Sequence, residues 1–223
     1  IAVAMSTATA ATIDQGKHAA EALGEKSAEL ESLKSKLEEY KRLADTDPLT
    51  HIWNRRAFDK KIAELYDSQR SILFNGLILA DIDWFKEIND RHGHPAGDKI
   101  LQMLADIFRS STREDMFVAR TGGEEFAIIV EGSTEQSAFE LADNIRLLIE
   151  QTRFSGGQSG VDCGPVTVSM GICMAAEANS ADDLYAKADR ALYRSKLDGR
   201  NRVTRFSSLR EVSGKNWQLY RKD

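Results

Sequence analysis

The sequence predicts an α+β fold, a central and mostly antiparallel sheet flanked by helices, preceded by a long N-terminal coiled-coil helix. Three observations predict it. Leu23, Lys26, Leu30, Leu33, Leu37, Tyr40 and Ala44 recur at alternating spacings of three and four, the period of a heptad seam. After Pro48 the pattern turns to apolar runs of strand length alternating with amphipathic stretches. Finally, MFVART and EEFAIIV meet across Gly122-Gly123, which reads as a tight hairpin whose turn positions need positive φ.

Each element follows from its residues. EKSAELESLKSKLEEYKRL is rich in strong helix formers, so residues 1–45 read as a helical stalk, weakened locally by Lys26 in its seam. An amphipathic helix lying on its own domain is the plainer alternative. The stalk stops at Asp45-Thr46-Asp47-Pro48, where Pro48 disfavours helix at Asp47, and Thr46 or Asp47 is placed to cap the next helix. Residues 54–69 read as helix, 73–83 as a buried strand ending in acids, and 97–111 as helix. Past the hairpin come a helix at 134–151, a Gly/Ser-rich loop at 155–164, a strand at 166–174, a helix at 181–197 and a short strand near 202–206. The compact domain is thus expected over 46–206, and the tail 207–223 has no period.

Composition narrows the class. Hydrophobic content of 42% and charged content of 29% belong to an ordinary globular chain, and no apolar stretch is long enough to span a bilayer. A net charge of −5 argues against a nucleic-acid surface and requires any anionic ligand to find local cations. Cys163 and Cys173 stand far from any metal-ligating spacing and read as reduced thiols, consistent with a cytoplasmic location. The chain opens on Ile1, so we expect a fragment lacking an upstream sensory or membrane segment, the cytoplasmic part of a larger protein.

The acids carry the chemistry. Alternation along Leu77-Ile78-Leu79-Ala80-Asp81-Ile82-Asp83 sends Asp81 and Asp83 to one face. Only one of Glu124 and Glu125 can share that face, and we assign Glu124 to a metal with Asp81 and the Ile82 carbonyl. A hard ion such as Mg²⁺ takes a few carboxylates, waters and phosphate oxygens in this way. Gly122 and Gly123 lack Cβ atoms and let phosphate approach the backbone.

DIDWFKEINDRHGHPAGD (81–98) followed by RTGGEEF (120–126) resembles the diguanylate cyclase, or GGDEF, domain in its GGEEF form. The likeness continues in DPLTHIWNRRAF (47–58), VTVSMGI (166–172) and ADRALYRSKLDGRNRV (188–203), in the family's order. It implies a catalytic set of Asp81, Glu124, Glu125 and Lys86, with one or two Mg²⁺ or Mn²⁺ ions on Asp81, Glu124 and the Ile82 carbonyl. It implies guanine readers at Asn89 and Asp98, and phosphate contacts from Lys86, Lys196 and Arg200 with Phe85, Gly122 and Gly123 nearby. The activity implied is condensation of two GTP into cyclic di-GMP and two pyrophosphates across a homodimer held by the coiled coil. The alternative is a catalytically silent GTP or cyclic di-GMP receptor signalling through that coil.

Several residues have plainer readings. Lys196 and Arg200 taken alone fit a helix C-terminus, His92 and His94 a turn, and Trp53, Trp84 and Trp217 packing. The family's inhibitory RxxD motif is degenerate. Arg113 is present, Met116 stands in place of the acid, and Asp115 comes one residue early, on the opposite face of an extended segment. Weak feedback is expected there. His51 stands where the family commonly has glycine.

Overall fold

A computed structural model describes residues 2–67, 75–156 and 161–209. The chain divides into two compact units, Ile1–Ala44 and Asp45–Asp223. The tail beyond 209, with Trp217, and residues 68–74 lie outside the described residues.

Helix α1 runs unbroken over Ala2–Asp45. Leu23, Leu30, Leu33, Leu37 and Tyr40 of the heptad seam are each more than half exposed.

In the second unit the helices are α2 (Arg55–Asp67), α3 (Phe85–His92), α4 (His94–Ser111), α5 (Glu135–Gln151) and α6 (Ala181–Leu197). The strands are β1 (Gly76–Ile82), β2 (Phe117–Arg120), β3 (Glu125–Val130), β4 (Ser155–Gly156), β5 (Val161–Asp162), β6 (Val168–Met174) and β7 (Val203–Arg205). The main sheet has the order β2-β3-β1-β6-β7, antiparallel except for the β6–β7 pair. Strands β4 and β5 form a separate two-stranded ribbon inside the stretch expected to be loop.

Strand β1 is buried along its whole length because helices cover both faces. Ile78, Ala80 and Ile82 pack with Ile100, Leu104, Phe108, Ile145 and Ile149 on the α4 and α5 side. Leu77 and Leu79 pack with Phe58, Ile62, Leu184, Ala188 and Leu192 on the α2 and α6 side. Two-sided burial explains a continuous apolar run where a half-exposed strand would alternate. The tightest backbone contact at a glycine is at Gly171 of β6, where a Cβ would overlap both the Leu192 backbone nitrogen and the Ala188 carbonyl.

Four local expectations are corrected. The cap of α2 is Asn54, whose Oδ1 accepts from Ala57 N at 3.0 Å. Asp47 instead closes the turn before it, accepting from the Thr50 amide at 2.8 Å and the Thr50 hydroxyl at 2.7 Å. Helix α3, absent from the sequence reading, occupies Phe85–His92, too short and too polar to show a helical period. Gly122 and Gly123 both have negative φ, and the hairpin pairs Arg120 with Phe126, so its loop is longer than a two-residue turn. Around Arg113 the chain is a turn, closed by Met116 N donating to Arg113 O at 3.0 Å. That turn brings Asp115 onto the Arg113 guanidinium at 3.0 Å instead of onto the opposite face. His51 has φ 58°, in the left-handed region, which explains why glycine suits this position.

Cys163 and Cys173 are both buried and are not joined in a disulfide. Burial, with Glu177 beside it, pushes the Cys173 thiol up to about 12. It is therefore an inert core group at neutral pH.

The contact at Gly171 involves backbone on both sides, so a methyl group there has nowhere to go. Gly171→Ala is expected to cost about 1–3 kcal/mol in urea unfolding, an overpacking penalty. Gly123→Ala, with no atom within 4 Å of its Cβ position, serves as the neutral control.

Candidate active site

The site forms where β1 ends. Asp81 lies opposite Glu125 of β3 on one side and Ser169 of β6 on the other, at the edge where the sheet opens. Its side chain is 7% exposed and accepts an ion pair from Lys196 of α6 at 2.8 Å. Burial pushes its carboxyl above the ordinary range, Lys196 opposes this, and Glu125 and Asp83 add to the rise. The helical spacing of α6 thus delivers a cation to the one acid that most needs it.

Asp83 lines the same hollow as Asp81, but its carboxylate oxygens are already taken. Its Oδ1 accepts from the Ser169 hydroxyl at 2.7 Å, and its Oδ2 from the Thr167 hydroxyl at 2.7 Å and the Asn201 amide at 3.0 Å. The second acid of the DxD is a clamp between β1, β6 and the loop after α6. A sequence shows the acid but not its partners, which come from 84 to 118 residues away.

The face argument for Glu124 needs correcting in the same way. By register it is Glu125 that shares a face with Asp81. Glu124 precedes β3, in the bend, where strand alternation does not apply. It nevertheless reaches the same hollow as Asp81. Burial, then Asp81, pushes its carboxyl up, Lys196 opposes this, and Glu125 adds to the rise. The turn glycines have separate reasons. A Cβ on Gly122 would come within 2.4 Å of Glu125 Oε2, whereas Gly123 faces open space. Arg120 fixes the tip by donating to the Gly123 carbonyl at 2.7 Å and pairing with Asp47 at 3.1 Å. Sequence reasoning gave Arg120 no role.

Residues 81–87, with Glu124, Lys196 and Arg200, line one hollow of about 200 Å³, Asp83 and Glu87 among its acids. That is below the roughly 300–1,000 Å³ of sites that enclose a drug-sized ligand. An open hollow of this size has room for a small anionic group and an ion. The start of α3 opens into it with no side-chain cap. Uncapped N–H groups and the helix dipole favour an anion there. Lys86 is exposed, and among the described residues neither it nor Arg200 has an acidic partner. Trp84, expected as packing, is 55% exposed and carries the Arg200 guanidinium 3.7 Å above its ring.

Asn89 and Asp98 stand apart from this hollow. Asn89 lies on α3 against the first turn of α4, where a Cβ on Gly97 would overlap its amide. Its Oδ1 is buried and has no hydrogen-bond partner. Asp98, the next residue after Gly97, is exposed. Arg113 and Met116 belong to the separate turn before β2.

The donors suit a hard cation, since Asp81 and Glu124 offer only oxygen. Their mutual repulsion, with Glu125 close by, calls for positive charge. Among the described residues no three His, Cys, Asp or Glu side chains converge to cage an ion. Any ion here would depend on backbone, water or a ligand for the rest of its shell.

The family described as diguanylate cyclase, GGDEF domain, matches residues 44–202. The chain is 36% identical over 175 residues to diguanylate cyclase VdcA of Vibrio cholerae, a match covering 78% of this chain and 51% of that protein. It is 38% identical over 174 residues to diguanylate cyclase DgcP of Pseudomonas aeruginosa, covering 76% of this chain and 25% of the relative. It thus spans about half or less of the curated relatives it matches. Among solved structures it superposes on the coiled coil and GGDEF domain of DgcB from Caulobacter crescentus in complex with c-di-GMP. The TM-score is 0.74 at 33% identity, covering 82% of this chain and 96% of that one. The active GGEEF domain of a diguanylate cyclase from Vibrio cholerae gives a TM-score of 0.61 at 32% identity, covering 69% and 96%.

The raised Glu124 carboxyl has a measurable sign. The folded protein holds that proton more tightly than the unfolded chain, so stability falls as pH rises through the window above the ordinary Glu range. Without divalent ions, Glu124→Gln is expected to be the more stable protein at pH 7, by less than about 1 kcal/mol because the group is half-exposed and screened. Urea midpoints should converge as pH is lowered and the wild type takes up the proton.

Proposed function

Since the chain belongs to the diguanylate cyclase, GGDEF domain family, we propose that it condenses two molecules of GTP into cyclic di-GMP and two pyrophosphates. The observation that carries this reading is the shared hollow. Asp81 and Glu124 line it together with Arg200, the uncapped start of α3 and Lys196, which is paired with Asp81 at 2.8 Å. A cation site beside an anion site is what a metal–triphosphate complex requires.

Asp81, Glu124 and the Ile82 carbonyl would hold Mg²⁺ or Mn²⁺, which when bound neutralises charge at the α-phosphate and acidifies the attacking hydroxyl. Lys86, Lys196 and Arg200 grip the β- and γ-phosphates, with the N–H groups at Phe85 and the open backbone at Gly123 beside them. Gly122 gives the Glu125 carboxylate its room. The 3′-oxygen of one GTP bonds to the α-phosphorus of the other, and the bond to pyrophosphate breaks. Glu125, across the ladder from Asp81, is the carboxylate left to receive the hydroxyl proton. All of these acids are intact, which favours an enzyme over a silent receptor.

Asn89 and Asp98 read the base outside the hollow. The unpartnered Oδ1 of Asn89 is an acceptor awaiting a donor. The Asp98 carboxylate accepts from guanine N1–H and its 2-amino group together, whereas adenine has an acceptor at N1 and no 2-amino group.

Each domain offers one such site and the reaction joins two nucleotides, so two copies must face one another. The exposed stripe of α1 supports parallel pairing through a coiled coil. Tethering raises the local concentration of the second site to the order of mM. We take residues 46–206 as the catalytic domain and 207–223 as a tail, and place the chain in the cytoplasm behind an upstream sensory region. No helix among the described residues is long and apolar enough to cross a membrane.

Incubation with GTP and Mg²⁺ followed by chromatography should yield cyclic di-GMP, and a chain that binds GTP without forming it would leave only the receptor reading. Asp98→Ala should bind GTP weakly and lose its preference over ATP, a discrimination of roughly 10³-fold for a site built on a polar partner. Unchanged selectivity removes Asp98 from the base site. A chain starting at Asp45 should lose specific activity on dilution while the full chain keeps it. Equal activity at low concentration denies the stalk its tethering role.

A further inference from the structure

Arg200 reaches the hollow from an improbable stretch of backbone. Helix α6 ends at Leu197, and the chain then turns through Gly199 at φ 111°, Arg200 at φ 63° and Asn201 at φ 46°. Trp84, which faces Arg200, has φ 61°. Left-handed backbone is uncommon outside glycine, and for an indole or a guanidinium side chain it persists only where the surroundings enforce it.

The enforcement is visible. Arg200 N donates to the Ser195 carbonyl at 3.0 Å and Asn201 N to Asp83 Oδ2 at 3.0 Å. The Asn201 side chain accepts from Arg146 at 3.1 Å and donates to Glu150 at 2.7 Å. Asp83 is itself held by Thr167 and Ser169. The backbone of Trp84, next to Asp83, and that of Arg200, next to Asn201, are therefore pinned by one clamp. The side chains that leave this clamp meet face to face, with the guanidinium 3.7 Å from the ring centroid.

We propose that Trp84 is a positioning residue whose ring holds the Arg200 guanidinium in place to receive the phosphate tail of GTP. The idea rests on the phosphate role given to Arg200 above. A guanidinium stacked on an aromatic ring spends its face, while its N–H donors lie in the plane and point outward. Among the described residues no carboxylate takes those donors, and both side chains line the hollow. The ring is 55% exposed, so it contributes little to the core and is used instead on its cation. Without it, Arg200 would have to give up more side-chain freedom on meeting the ligand.

The test compares Trp84→Ala, Trp84→Phe, Arg200→Ala and the Trp84→Ala/Arg200→Ala double variant in the full chain. It follows kcat and KM for GTP, melting temperature, and Mn²⁺ binding without nucleotide. Trp84→Ala should raise KM by about three- to tenfold, the range of an exposed to partly desolvated cation–π contact, with kcat within about twofold. Trp84→Phe should recover most of the loss, since it keeps an aromatic face. In the Arg200→Ala background, Trp84→Ala should add less than about twofold, because the ring then has nothing to hold. Mn²⁺ binding should be unchanged throughout.

Three results would overturn the proposal. The two substitutions could prove additive, which gives the ring a role of its own. Trp84→Ala could lower KM, which makes the stack a parking place that GTP must break. Trp84→Phe could fail to recover KM while melting normally. A wild-type KM in Arg200→Ala instead removes the phosphate role of Arg200, and the failure then lies in the reading beneath.

Discussion

The ion pair between Lys196 and Asp81 is the contact on which the rest of the site depends. Asp81, Asp83, Glu124 and Glu125 come together where β1 ends and β3 begins. Carboxylates so crowded and partly buried oppose one another and oppose folding. Each is answered differently. Asp83 has its oxygens satisfied by hydrogen bonds from Thr167, Ser169 and Asn201. Asp81 takes the ammonium at 2.8 Å. Glu124 and Glu125 are left nearer to solvent, and Glu124 keeps a carboxyl raised first by burial and then by Asp81. Sites where charge is tolerated and not fully satisfied are where ligands are expected.

The sheet makes this crowding possible. Helices on both faces bury β1 up to Ile82, so the acids appear only where the covering stops. The α6 helix can deliver Lys196 because Gly171 lets it lie directly on β6. The hairpin tip is set by Arg120, whose guanidinium joins the Gly123 carbonyl to Asp47 in the segment leading to α2. Each functional side chain therefore hangs on a rigid element or on a turn that another element holds.

Much of this was legible beforehand. Helix α6 has the bounds expected from the sequence, 181–197, and the hairpin joins the two apolar runs expected to pair. The hollow gathers Asp81, Glu124, Lys86, Lys196 and Arg200, all singled out from the sequence. What escaped was of one kind. Asp83 and Trp84 owe their behaviour to partners far along the chain, and no local pattern announces those partners. Helix α3 is eight residues with a single buried side chain, Phe85, too few to display a period. The Gly-Gly pair was legible as a turn but misread in its cause, since Gly122 is small to admit a carboxylate and not to reach positive φ.

Lys196 has one more consequence. Because its ammonium already sits against Asp81, the ligand-free protein brings its own counter-charge to the acid cluster. The newly made chain can close its sheet without waiting for an inorganic ion, unlike small domains that fold only around one. A cation bound at Asp81 as proposed above would take over from an ammonium already in place, one positive charge replacing another.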